Sequence, residues 1–168
     1  MKRLIVIDMQ NDFCTGSLAN PDAVAVIPFI KEKIEYFKKM GQGSVIFTCD
    51  THGSDYMNSL EGKNLPVPHC IKGSHGWKIV DDLYDSSAKI IEKPTFGYKN
   101  WEAHIQDGDE IYMTGTCTDI CVISNALAIK AACPNSEVYV YKDGCAGLTK
   151  EKHEHALDVM ASCQVKIL

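Results

Sequence analysis

The chain has 168 residues, eight of them cysteine, and a formal net charge of −5. That length suits one domain with a full core and no disulfide staples, and its apolar and charged fractions exclude wholesale disorder. Lysines and acids are mixed with no basic block, so nucleic acid is not expected as the main partner, and no apolar run is long enough to span a bilayer.

The opening "MKRLIVIDMQ" carries a β-branched run, "RLIVI" (3–7), that stops at Asp8. It is too short for a signal segment, which leads us to expect a cytoplasmic protein with reduced thiols. Catalytic or metal roles for cysteine then rank above a disulfide framework, although most buried thiols act as inert small hydrophobes. A helix is expected from Pro21, with Ile27, Ile30, Ile34 and Phe37 on one face and Gly41 as its stop. The lysines and glutamates of "KEKIEYFKKM" read as the solvated face of that helix.

Further strands are expected at 44–49, 88–92, 110–115, 137–142 and 163–168, with helices over about 118–132 and from Thr149 onward. Their near-continuous apolar character suits strands covered on both faces. The repeated β–α units predict a single domain over 1–168, a three-layer α/β/α sandwich with an open, mostly parallel six-stranded sheet. One stretch breaks the alternation. The segment over about 50–76 has no sustained period and is rich in Gly, Pro and His, which predicts an ordered binding loop.

Ligands of open parallel sheets bind beyond the carboxyl ends of the strands. The predicted strands deliver Asp8, Asp50, Lys93 and the "TCTDICV" segment to that edge. If Thr118 caps the following helix, Cys121 lies in its first turn, where free N–H groups favour a thiolate. Position alone leaves a nucleophile and a buried structural thiol both open. The C-x-x-x-C spacing of Cys117 and Cys121 is not the C-x-x-C of dithiol exchange. Asp50, His52, Glu61 and His69 carry the imidazole and carboxylate groups that suit Zn²⁺ or another first-row metal, but D-x-H alone is a weak motif and a solvated loop is its commoner explanation. His75 ranks below these as a metal ligand, and His153 and His155 read as surface residues.

Taken in order, "IVIDMQNDFCTGSLA", "TCDTH", "LEGKNLPVPHC", "EKPTFGY" and "TGTCTDICVISNALAI" resemble the signatures of the isochorismatase-like cysteine hydrolases, most closely those of the nicotinamidases. The resemblance implies an Asp8–Lys93–Cys121 triad and a cis peptide bond before Cys117. It also implies an oxyanion hole from the N–H groups of Cys117 and Cys121. A divalent metal, zinc first with manganese or iron as alternatives, would sit on Asp50, His52 and His69. The loop departs from the family's D-W-H-P pattern and lacks its further histidine, so Glu61 is the candidate fourth ligand. A tryptophan common before the second metal histidine is also missing, which leaves Phe13, with Phe96 or Tyr98, to clamp the substrate.

The implied activity is deamidation of nicotinamide in NAD salvage by a homo-oligomer acting on a small molecule. A related hydrolase of another small amide or of a ureido or carbamoyl compound is the alternative. A non-catalytic metal- or ligand-binding module is the reading from a different class. Vinyl-ether cleavage, the isochorismate reaction, needs no thiol and ranks lower.

Overall fold

In the computed structural model, which describes residues 1–41 and 43–168, alternate residues of the first strand, β1 (Lys2–Ile7), enter two different cores. Leu4 and Val6 join the cluster of Ile30, Ile34, Phe37 and Phe47, while Ile5 and Ile7 join that of Met113, Ile129, Val138 and Leu157. This is why the strand reads as an unbroken apolar run: each face is covered by helices.

The remaining elements follow as α1 (Asn11–Cys14), α2 (Pro21–Ala25), α3 (Ile27–Lys38), β2 (Val45–Asp50), α4 (Leu60–Asn64), β3 (Lys89–Lys93), β4 (Glu110–Thr116), α5 (Ile123–Ala132), β5 (Glu137–Ala146), α6 (Lys150–Ser162) and β6 (Lys166–Ile167). The sheet has six strands in the order β3-β2-β1-β4-β5-β6, and every strand pair in it is parallel. The winding direction reverses between β1 and β4, which opens a crevice at their carboxyl ends. None of the described helices is long and apolar enough to cross a membrane.

Two expectations change in detail, and a third holds and gains detail. The helix expected from Pro21 to Gly41 is two helices broken at Val26, because Pro28 lies in the first turn of α3. A proline two turns inside a continuous helix would lack its N–H and clash with the preceding turn; at the start of a new helix it costs nothing. The stretch expected as a strand over 163–168 forms only the two residues of β6, since α6 runs on to Ser162 and Gln164 turns the chain with φ +67°. The loop over about 50–76 is ordered, with a 3₁₀ turn at Tyr56–Asn58 followed by α4.

Asp109 anchors the amino end of the sheet. Its carboxylate is buried, 2.7 Å from Arg3 Nε, and accepts the Gln106 N–H at 3.1 Å. Burial opposes the charge, but these partners and the terminal amine more than offset it and hold the carboxyl below its usual range. Asp109→Asn is expected to cost about 2 kcal/mol in chemical denaturation, the size of a charge-assisted bond lost inside a protein. A depressed carboxyl stabilises above its unfolded pKa, so wild type and variant should converge as pH falls through the carboxylate range.

Candidate active site

The crevice collects the predicted strand-exit residues. Asp8 follows β1 with a left-handed φ of +47°, and its carboxylate lies 2.6 Å from Lys93 Nζ at the end of β3. Thr48 of β2, which the sequence reading missed, donates its hydroxyl to the other Asp8 oxygen at 2.6 Å. Lys93 Nζ also reaches Cys121 Sγ at 3.6 Å and donates to the Thr95 carbonyl at 3.1 Å. Asp8 and Lys93 are inaccessible to solvent, and Cys121 is nearly so.

The turn that carries Cys121 differs from the expected cap. Thr118–Val122 is a π-helical turn leading into α5, and Cys117, not Thr118, precedes it. Thr118 is buried inside the turn, with its hydroxyl 2.8 Å from His153 Nδ1. His153 of α6 is therefore half-buried against this turn, not a surface residue. Ile120 N and Val122 N both donate to the Cys117 carbonyl, while the Cys117 amide finds no partner among the described residues. The Thr116–Cys117 peptide bond is cis, as the resemblance implied. Gly115, with φ +122°, lies so close to β1 that a Cβ would fall 2.1 Å from the Ile7 carbonyl oxygen. Only glycine fits there.

Burial raises both thiols, and what separates them is Lys93, whose Nζ lies against Cys121 Sγ. Burial and the neighbouring Asp8 push the Cys121 thiol well above its ordinary value, against the pull of Lys93. A thiol raised in this way needs a base to take its proton. Burial likewise raises the Asp8 carboxyl although Lys93 opposes it, which makes Asp8 a better proton acceptor than a free carboxylate. Lys93 is raised despite burial because Asp8, Cys121 and Asp50 surround it, so it stays charged. Burial pushes the Cys117 thiol up to about 11, leaving it neutral.

Asp50, His52, Glu61 and His69 converge beside this cluster, with one ligand atom from each lying within 4.8 Å of the others. Asp50 Oδ2 is 2.9 Å from His52 Nε2 and 3.4 Å from His69 Nε2. Glu61 Oε1 lies 3.7 and 3.6 Å from the same two nitrogens. His69 Nδ1 sits 2.8 Å from the Val67 carbonyl, which fixes that nitrogen as the donor and leaves Nε2 as a lone pair facing the carboxylates. Asp50 Oδ1 is buried with no hydrogen-bond partner among the described residues. Burial alone would raise the Asp50 carboxyl, but His52, His69 and Lys93 more than offset it and hold it far below its usual range. Two imidazoles and two carboxylates that converge on one point fit a divalent metal ion.

Local folding places each donor. Gln10, also missed from sequence, is fully buried and grips Asp50 from both sides, accepting its N–H at 2.7 Å and donating to its carbonyl at 2.9 Å. Asp12 accepts the Cys70 amide at 2.7 Å and so pins the residue after His69. Ser59 caps α4 through the Gly62 N–H at 2.9 Å, which sets the turn that carries Glu61. The only signal for Gln10 and Asp12 was their place in the first motif.

A cavity of about 370 Å³ opens above the cluster. Phe13 and Phe96 line it as expected, joined by Leu18, Leu65, Ile120 and Leu148, which the sequence reading did not select. Tyr98 does not line it. Asn125 of α5 accepts the Tyr98 N–H at 2.8 Å, and the ring packs edge-on against Trp101 with its hydroxyl toward His104. His155 is exposed, as expected, and His75 is exposed as well.

A buried thiol, carboxylate and ammonium at the switch point of a parallel α/β/α sheet, beside a metal-competent cluster, define the class of architecture. The chain belongs to the isochorismatase family, whose domain matches residues 2–168. The nicotinamidase/pyrazinamidase of Mycobacterium tuberculosis is 26% identical over 198 residues, covering 100% of this chain and 98% of that protein. The nicotinamidase of Saccharomyces cerevisiae is 27% identical over 180 residues, covering 79% of this chain and 82% of that one. Among solved structures, the pyrazinamidase of Pyrococcus horikoshii in complex with zinc superposes with a TM-score of 0.84 at 30% identity, over 99% of this chain and 98% of that one.

Proposed function

We propose that the protein is an amidohydrolase that converts nicotinamide to nicotinate and ammonia through a thioester on Cys121, serving NAD salvage. The observation that carries this reading is the chain of contacts from Asp8 through Lys93 to Cys121 on the floor of an apolar cavity. Asp8 takes the thiol proton as Sγ adds to the amide carbon. The N–H groups of Cys117 and Cys121 receive the developing oxyanion, a contribution typically worth roughly 10²–10³ in rate per donor. Asp8 returns the proton to the departing nitrogen, and ammonia leaves behind a thioester. Asp8 then draws a proton from water, which attacks the thioester and releases the acid and the free thiol. Throughout, Lys93 balances the negative charge as it moves between Asp8 and Cys121.

Zinc is the metal the donor set favours on Asp50, His52, Glu61 and His69, and when bound it supplies a Lewis-acid contact for the substrate's ring nitrogen. Among the described residues no arginine or lysine lines the cavity to receive the carboxylate of a ureido acid, which weighs against that alternative. Ammonia release measured across nicotinamide, pyrazinamide and several linear amides tests the reading: the pyridine and pyrazine amides should turn over and the linear ones lag. Equal turnover of all, or of none, would remove the proposal.

Asp50→Ala or His52→Ala should strip bound divalent metal, read by elemental analysis of purified protein, and should act chiefly through a raised KM. Metal retained at wild-type stoichiometry in both variants would contradict the assignment of the cluster.

A further inference from the structure

Leu148 is half exposed, yet it lines the cavity from a short strap between β5 and α6. Two side chains hold that strap in place. Asn20 Nδ2 donates to the Gly147 carbonyl at 2.9 Å, and Asp119 Oδ1 accepts the Leu148 N–H at 2.9 Å. Gly147 is buried flat between Asp119 and His153, where a Cβ would lie 3.0 Å from the Asp119 carboxylate and 2.9 Å from the His153 Cβ. Asn20 in turn donates its own N–H to the carbonyl of Phe13, at 3.1 Å. Asp119 immediately precedes Ile120 and lies two residues before Cys121.

The bonds therefore run in series around the cavity mouth, from Phe13 through Asn20, Gly147, Leu148 and Asp119 to Ile120. They join three apolar walls contributed by three separate parts of the chain to the turn that carries the thiol. Among the described residues Leu148 has no other tether of this kind: the next residue, Thr149, turns away to cap α6.

We propose that Asp119 and Asn20 are positioning residues that hold Leu148 as a wall of the substrate slot, so that the strap sets the preference for flat aryl amides over linear ones. The inference rests on the amide-hydrolase reading and adds its specificity-determining elements. A wall that contacts the ring equally in ground and transition states contributes uniform binding, so its loss appears in KM and not in kcat.

Steady-state kinetics on nicotinamide and on a linear amide test it. Asp119→Ala should raise KM for nicotinamide about tenfold with kcat within about twofold, while KM for the linear amide barely moves. Asp119→Asn keeps an acceptor oxygen for the Leu148 N–H and should restore most of the loss. Asn20→Asp keeps the oxygen that caps α2 through Asp22 N, but sets an acceptor against the Gly147 carbonyl, so it should raise KM without unfolding the helix. Leu148→Ala should match Asp119→Ala, and the double variant should add little to either. Unchanged KM in Asp119→Ala and Asn20→Asp, or an Asp119→Asn variant no better than alanine, would overturn the proposal while the wild type still turns over. A wild type with no amide turnover at all would overturn the hydrolase reading and this inference with it.

Discussion

Replacing Cys121 with alanine is expected to lower amide turnover by roughly 10⁴-fold or more, the scale on which loss of one member of a nucleophile–base unit acts. The structure explains why no neighbour can substitute. Cys117, four residues away, makes no contact with Lys93 among the described residues, whereas Lys93 Nζ lies 3.6 Å from Cys121 Sγ. The substitution removes one sulfur from a buried site, so the melting temperature should stay within about 5 °C of wild type. Cys117→Ala is the matched control. Its proposed contribution comes from the backbone N–H, which alanine retains, and most activity should remain. Undiminished turnover in Cys121→Ala would defeat the mechanism.

Lys93→Met is expected to damage both stability and chemistry. It preserves side-chain length but leaves Asp8 buried without the cation 2.6 Å away. Removing one partner of a buried pair typically costs about 3–5 kcal/mol. The carboxyl, already raised by burial, would rise further and hold its proton, leaving no base for the thiol. A carboxyl whose folded pKa lies above its unfolded one stabilises when protonated, and that contribution is lost as pH rises through the folded value. The deficit of Lys93→Met should therefore be small in mild acid and grow toward alkaline pH, as read from denaturation midpoints of both proteins across pH. A deficit of constant size across that range would contradict the charge argument.

Much of the site was legible because a parallel sheet turns chain order into spatial order. Asp8, Asp50, Lys93 and Cys117 each end or follow a β-branched run, and such runs must share one edge. Residues that act through tertiary contacts left no such mark. Thr48 lies inside a strand, where threonine is ordinary, and its bond to Asp8 appears only once β1 and β2 pair. Leu148 and Leu65 have no periodic partner, so nothing in their neighbourhood distinguishes a cavity wall from an exposed leucine. His153 looked like one of two surface histidines on α6. Packing of that helix on the nucleophile turn buries it and leaves His155 in solvent. Pro28 was readable, since proline marks a helix start, but the apolar spacing of Ile27, Ile30 and Ile34 ran across it and favoured one long helix. The thiol's protonation depended on burial, which no motif reports.

The central claim is a thioester on Cys121 shared by every substrate of this site, and partitioning of that intermediate tests it most directly. Nicotinamide and an ester of the same acid are hydrolysed in the presence of a fixed amount of hydroxylamine, and the fraction of product captured as hydroxamate is measured for each. A common acyl-enzyme predicts the same fraction from both substrates, with neither product formed by Cys121→Ala; different fractions, or hydroxamate formed without the thiol, would contradict it.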